Sequence, residues 1–93
     1  MPRSIYRYSL PAIRVAHLEL PKNAEVLSVG PPRRDPDGPL DLWALVDLDA
    51  ESETRTFRIY GTGQDFPDFV GRFVGTVPLY GGSLIFHVFE DLG

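Results

Sequence analysis

The chain has no cysteine and only two histidines in 93 residues. Without cysteine it can form neither a disulfide framework nor a thiolate metal site, so a hydrophobic core has to supply its stability. No apolar run in the sequence reaches the length of a membrane span. The first residues, Met-Pro-Arg-Ser-Ile-Tyr, lack the apolar segment of a signal peptide. We therefore expect a cytoplasmic protein without a membrane partner.

The chain also lacks an excess of positive charge. Its net charge is −4 and its pI is about 4.9, which argues against binding of extended nucleic acid along the phosphate backbone. A local basic pocket for a small anion stays open. The 43% apolar and 24% charged residues are typical of a globular protein of ordinary composition. We expect one domain over residues 1–93 with a single core.

A helical period of 3.6 residues does not persist anywhere in the sequence. Short runs that alternate between apolar and polar residues stand between turn residues instead. This pattern predicts an all-β fold, a small antiparallel sandwich or barrel of about seven short strands built from hairpins. The predicted strands are 5–10, 12–20, 25–29, 40–48, 55–60, 72–79 and 84–89, of which 40–48 is apolar on both faces and should be central.

The connections carry turn chemistry. Lys22, Asn23 and Ala24 are turn residues, so residues 21–29 are predicted to hold the bend between two paired strands. Gly81-Gly82 predicts a tight hairpin because its turn requires positive φ. The acidic stretch 47–53 lacks the glycine and terminal glutamate of an EF-hand, so we predict a solvated hairpin turn. Residues 30–39 contain four prolines and two glycines, which predicts an exposed loop. Its Arg33-Arg34 pair could bind an anion, but a solvated hairpin tip is the favoured interpretation.

The stretch from Thr54 to Gln64 is the best candidate for a site. Phe57 and Ile59 alternate with Arg58 and Tyr60, so one face is apolar and the other polar. The glycine-rich turn that follows could cradle a phosphate through backbone N–H groups, while Arg58 pairs with charge and Tyr60 stacks on a base. The alternative to phosphate binding is a structural role, in which the glycines only allow the chain to turn at the end of the strand. The predicted ligand-binding residues are Arg58, Tyr60, Gly61, Thr62, Gly63 and Gln64, with Tyr80 and Phe66 as second choices.

We predict no catalytic set, metal site or cofactor. His87 alternates with Ile85 and Phe89 on the last strand, which favours a half-buried histidine bonded to a neighbour over a catalytic base. Phe66 and Phe69 lie in a loop, where aromatic residues either anchor a partner or fold back over the end of the sheet. Both interpretations stay open.

Five pieces of sequence cover nearly the whole chain: Ile5–Tyr8, Leu20–Val29, Leu42–Asp47, Arg58-Ile59-Tyr60-Gly61-Thr62-Gly63 and Gly81–Glu90. Together they resemble a family of short, functionally uncharacterised proteins from bacteriophages, prophages and their hosts. Members of that family often carry histidine after Gly-Thr-Gly and before the later Gly-Gly. This chain has Gln64 and Tyr80 at those places, so the resemblance does not imply an essential metal site.

The resemblance and the missing catalytic set together predict a non-enzymatic binding module of phage or prophage type. It would capture a host protein or a small anionic, nucleotide-like ligand in the host cytoplasm and so blunt a defence response. A homo-oligomer is expected as well, since a chain this small gains stability by association. Two alternatives stay open: a minor structural or assembly component of a phage particle, and a small hydrolase or lyase that uses His87 and a carboxylate.

Overall fold

The computed structural model describes residues 2–93 and has seven β-strands and one 3₁₀ turn in that range. The strands are β1 (Ser4–Leu10), β2 (Val15–Pro21), β3 (Glu25–Gly30), β4 (Leu40–Val46), β5 (Ser52–Gly61), β6 (Gly71–Leu79) and β7 (Leu84–Asp91). The 3₁₀ turn, Tyr80–Gly82, joins β6 to β7. No helix among the described residues is long and apolar enough to cross a membrane.

The strands form two antiparallel sheets that pack face to face as a sandwich, not as a closed barrel. The three-stranded sheet has the order β1-β4-β3, and the four-stranded sheet has the order β2-β5-β7-β6. The predicted all-β antiparallel fold is confirmed, and the sandwich is the architecture found. The apolar strand β4 is central in its sheet, as its pattern predicted.

Two connections differ from the prediction. Residues 22–24 join β2 to β3, which lie in different sheets, so this bend does not connect paired strands. The acidic stretch after β4 likewise leads to β5 in the other sheet and is not a hairpin. The turn chemistry itself is present, since Asn23 has a φ of 65° and the Ala24 N–H donates to the Pro21 carbonyl at 3.1 Å. A tight turn reverses the chain, but it does not determine which sheet receives the next strand.

The hairpin between β6 and β7 agrees with its prediction. The two strands pair antiparallel from Leu79↔Leu84 to Gly71↔Asp91. Gly81 and Gly82 have φ angles of 66° and 95°, the left-handed region that this sharp reversal requires.

The core lies between the two sheets because alternate residues of each strand face inward. On β5, Phe57 and Ile59 are buried in the core and Arg58 and Tyr60 lie on the opposite face, as predicted. Phe57 has no exposed surface; burying a side chain of this size contributes about 1.5–3 kcal/mol. The buried hydrophobic cluster consists of Leu10, Ala16, Leu20, Ala24, Val26, Leu40, Leu42, Ala44, Val46, Phe57, Ile59, Val77, Leu79 and Val88.

An ion pair is buried at one end of this core. Glu90 on β7 is only 2% exposed and accepts hydrogen bonds from Nε and Nη2 of Arg55 on β5, the second at 3.1 Å. The hydrogen bond to Glu90 raises the pKa of Arg55. Arg55 also donates to the Ala24 carbonyl at 2.9 Å, and Arg72 donates to the Val26 carbonyl at 2.9 Å. Arg55 and Arg72 of the four-stranded sheet thus bond to β3 of the other sheet and to the residue just before it.

Candidate functional site

The outer face of the four-stranded sheet carries a cluster of aromatic rings. The strand register places Phe73 beside Phe89, with ring centroids 5.3 Å apart. The loop between β5 and β6 folds back over the same face and brings Phe66 to 5.0 Å from Phe89. We call Phe66, Phe69, Phe73 and Phe89 the aromatic face. The loop aromatics thus fold back over the sheet, yet Phe66 is still 53% exposed and Phe73 is 55% exposed.

Phe69 is held in place from two sides. Its ring lies so close to Gly71 that a Cβ at that position would collide with it. On the other side, the guanidinium carbon of Arg58 is 5.0 Å from the ring centroid, within the range of a cation–π contact. The glycine therefore makes room for the loop to return onto the sheet.

Arg58 is paired within the protein. Its Nε donates to Oδ2 of Asp91 at 2.7 Å, on the neighbouring strand β7. This hydrogen bond raises the pKa of Arg58 and lowers the pKa of Asp91. The Gly93 N–H also donates to Asp91, at 2.9 Å. The charge that the sequence assigned to an anionic ligand is thus already matched by a carboxylate.

Tyr60 lies beneath the loop and is only 4% exposed. Its ring centroid is 5.1 Å from that of Phe66 and 6.3 Å from that of Phe69. Within the part of the chain that the structure describes, its buried hydroxyl has no hydrogen-bond partner. The loop thus covers the ring on which a base was expected to stack, and a role of Tyr60 in ligand binding stays a prediction.

The loop Gly61–Gln64 forms a closed turn. The Gln64 side chain accepts a hydrogen bond from the Gly61 N–H, and the Gln64 N–H donates to the Gly61 carbonyl at 3.1 Å. Gly63 has a φ of 90°. Together with Ser83 and its neighbours, this turn lines a groove of about 360 Å³. The structure thus brings Gly61, Thr62 and Gln64 together, and their role in ligand binding stays a prediction.

Tyr80 does not join this group. Its hydroxyl donates to Asp37 in the loop 31–39 between β3 and β4, which we call the proline-rich loop. Phe66 also lies apart from the turn, on the aromatic face. The predicted site residues therefore divide into three places: Arg58, Tyr60 and Phe66 on the sheet face, Gly61–Gln64 at the turn, and Tyr80 against the proline-rich loop.

His87 is half-buried between two threonine hydroxyls. Its Nε2 is 2.8 Å from Oγ1 of Thr62, and its Nδ1 is 3.0 Å from Oγ1 of Thr76. Both ring nitrogens are thus occupied by neighbours, as predicted for a histidine of this strand. In residues 2–93 no three histidine or acidic side chains are arranged to hold a metal ion.

Sequence reasoning missed a cluster on the other outer face of the sandwich. Asp41 on β4 is 6% exposed and accepts hydrogen bonds from Arg7 on β1 and from Arg33 in the proline-rich loop. Asp41 follows Leu40 in a strand that is otherwise apolar, and an aspartate in such a strand is itself a sign that cations lie nearby.

A domain family of unknown function, DUF7352, matches residues 1–92. The chain therefore belongs to this family. No curated protein and no solved structure is significantly similar to it.

Proposed function

We propose that this member of the DUF7352 family is a non-enzymatic binding module that captures a partner protein through its aromatic face. The observation that carries the proposal is the exposure of Phe66 and Phe73, at 53% and 55%, on one face of a sheet. The solvated face of an antiparallel sheet usually carries polar residues. Aromatic residues are enriched at the centres of protein interfaces, and contiguous exposed apolar patches mark interaction sites.

The rings of the aromatic face pack against one another and against Tyr60. Phe66 packs at 5.1 Å from both Tyr60 and Phe69, and Phe73 packs on Phe89. An exposed ring that is held by its neighbours loses little conformational entropy on association, which raises the affinity that a given contact area can provide. The loop therefore presents Phe66 as a fixed anchor.

Charge around the aromatic face indicates the chemistry of the partner. Asp65 and Asp68 flank Phe66 in the sequence and are exposed, and neither forms an ion pair within residues 2–93. The positive charge of Arg58 is matched by Asp91. A partner surface with an apolar centre and a basic rim would complement the phenylalanines and the two aspartates. The opposite charges of the two surfaces would speed their association.

The biological setting of this proposal rests only on the resemblance of the sequence motifs to a family of phage and prophage proteins. In that setting the chain is of phage or prophage origin, acts in the host cytoplasm, and captures a host protein of a defence response. A small anionic ligand at Gly61–Gln64 is the second version. The partner protein is favoured because Arg58 is already paired and Tyr60 is covered, whereas Phe66 and Phe73 are accessible.

The test compares three forms of the immobilised protein in capture from host lysate, followed by affinity measurement with the identified partner. In the first variant Phe66→Ala and Phe73→Ala are combined. The matched control is Leu48→Ala, which truncates an apolar side chain of equal exposure, 54%, in the connection after β4. We expect the double variant to bind about 30-fold or more weakly, since truncating a central anchor costs about 2 kcal/mol. The control should bind like the wild type.

An affinity that is the same in the wild type and the double variant would contradict the proposal. Equal weakening by Leu48→Ala would contradict it as well, because the binding would then follow general hydrophobicity. The second version is tested by thermal melting with cyclic and linear nucleotides. A shift that Gln64→Ala abolishes and the double variant retains would favour that version.

A further inference from the structure

The outer face of the three-stranded sheet holds two arginines on one buried carboxylate. Nη1 of Arg7 lies 3.2 Å from Oδ1 of Asp41, and Nε of Arg33 lies 3.1 Å from Oδ2. The Asp41 side chain is only 8% exposed, whereas those of Arg7 and Arg33 are 39% and 59% exposed. The buried acid thus fixes two guanidinium groups that still face solvent.

Arg33 belongs to the proline-rich loop, and this loop together with Arg7 and Asp41 lines an open groove of about 330 Å³. We call it the arginine groove. Its polar lining consists of Arg7, Ser9, Arg33, Arg34, Asp35 and Asp41. A volume of this size lies at the lower end of the range of small-molecule sites, roughly 300–1,000 Å³.

Most of the donors in the arginine groove are unused. A guanidinium carries five N–H groups, and Arg7 and Arg33 each donate one of them to Asp41. Arg34 forms no ion pair among the residues that the structure describes. Asp35 is engaged in its own turn, where Oδ1 accepts the Asp37 N–H at 2.9 Å.

The balance of charge in the arginine groove opposes that of the chain. Three arginines face two aspartates there, although the chain as a whole has a net charge of −4. A phosphate monoester carries close to two negative charges at neutral pH and several acceptor oxygens, so it can use donors from more than one guanidinium. A carboxylate, with one charge and two oxygens, uses fewer of them.

We propose that the arginine groove binds the phosphate group of a small organic phosphate monoester. Arg7 and Arg33 are positioned for it by Asp41, and Arg34 supplies a third cation from the loop. This site lies on the face of the sandwich opposite the aromatic face, so it is independent of the partner protein proposed above.

The test follows the arginine Nε–H signals by NMR, together with calorimetry, during titration with inorganic phosphate, ribose 5-phosphate, adenosine 5′-monophosphate and adenosine. Arg34→Ala is the diagnostic variant because it leaves the pairing of Asp41 intact. Arg14→Ala is the matched control, since Arg14 is an exposed arginine that precedes β2 in the other sheet. We expect the phosphates to shift the signals of Arg7, Arg33 and Arg34, and Arg34→Ala to weaken binding about tenfold or more. Binding should also weaken in high salt.

Binding of the two organic phosphates, with no binding of adenosine, would support the proposal whichever of the two binds more tightly. It is overturned if no phosphate shifts these signals at millimolar concentration. It is also overturned if adenosine binds as well as its monophosphate, if inorganic phosphate alone binds, or if Arg14→Ala weakens binding as much as Arg34→Ala. The Phe66→Ala, Phe73→Ala double variant should bind phosphates normally, so each proposal can fail while the other stands.

Discussion

Removing the charge of Glu90 tests how the two sheets are held together. Glu90→Gln keeps the shape of the side chain but leaves the positive charge of Arg55 without its buried partner. Arg55 cannot recover full hydration there, because its side chain is only 17% exposed. Its remaining acidic neighbour, Glu53, lies at 3.5 Å and is itself 37% exposed.

These contacts determine how much unfolding free energy Glu90→Gln is expected to lose. Removing one member of a buried ion pair costs about 3–5 kcal/mol. The glutamine oxygen can still accept one hydrogen bond from Arg55, and Arg72 nearby is partly solvated, so we expect the lower end, about 3 kcal/mol. A domain of this size has a total stability of about 5–15 kcal/mol, so the loss should be plain in any unfolding curve.

The assay is urea unfolding at neutral pH, followed by the fluorescence of Trp43, the one tryptophan of the chain. Glu53→Gln is the control and should cost less than about 1 kcal/mol, since that carboxylate is partly exposed. The double variant Glu90→Leu, Arg55→Met should be more stable than Glu90→Gln, because it leaves no unpaired buried charge. A loss below about 1 kcal/mol for Glu90→Gln, or one equal to that of Glu53→Gln, would show that Arg55 does not depend on Glu90 as a buried partner.

Two further predictions concern the aromatic face. Gly71→Ala should destabilise the fold by about 1–3 kcal/mol and broaden the NMR signals of Phe69. The reason is that the new Cβ collides with the Phe69 ring and lies 3.1 Å from the Glu90 carbonyl oxygen. Unchanged Phe69 signals would contradict this prediction. Asp91 should titrate below the usual aspartate pKa, and Arg58→Gln should raise its pKa toward that value, which carbon-detected NMR can follow. Because the pKa of Asp91 is lowered in the folded state, the Arg58–Asp91 pair stabilises the fold above the ordinary aspartate pKa. This stabilisation is lost as the pH falls through the lowered pKa. If Arg58→Gln left the pKa of Asp91 unchanged, Arg58 would not be the cause of the lowered pKa.

The parts of the fold that depend on local pattern could be predicted from the sequence. The alternation in β5 puts Phe57 and Arg58 on opposite faces because successive side chains of a strand point to opposite sides. The Gly81-Gly82 turn needs positive φ, which glycine supplies. The division of strands between two sheets could not be predicted this way. The turn at Asn23 has the same chemistry whether the next strand pairs with the previous one or crosses the sandwich.

The sites depend on contacts between distant segments, which local pattern does not contain. Alternation places Tyr60 on the outer face of the sheet, but it does not indicate that Phe66 and Phe69 return to cover it. Likewise, the sequence shows Arg33 in a proline-rich loop, and the contact with Asp41 appears only when the loop folds over β4. The interpretation of that loop as a solvated tip misses this contact for the same reason.

The strand pairings determine when the chain can fold as it is synthesised. β1 pairs with β4, with Leu10 opposite Leu40, and β2 pairs with β5, with His17 opposite Thr56. Both strands are therefore synthesised well before their partners, and β5 in turn needs β7. Long-range pairing of this kind is slow and leaves apolar segments exposed meanwhile. A ribosome-bound chain halted at residue 50 is expected to be unfolded and accessible to chaperones, and folding should follow the emergence of β7.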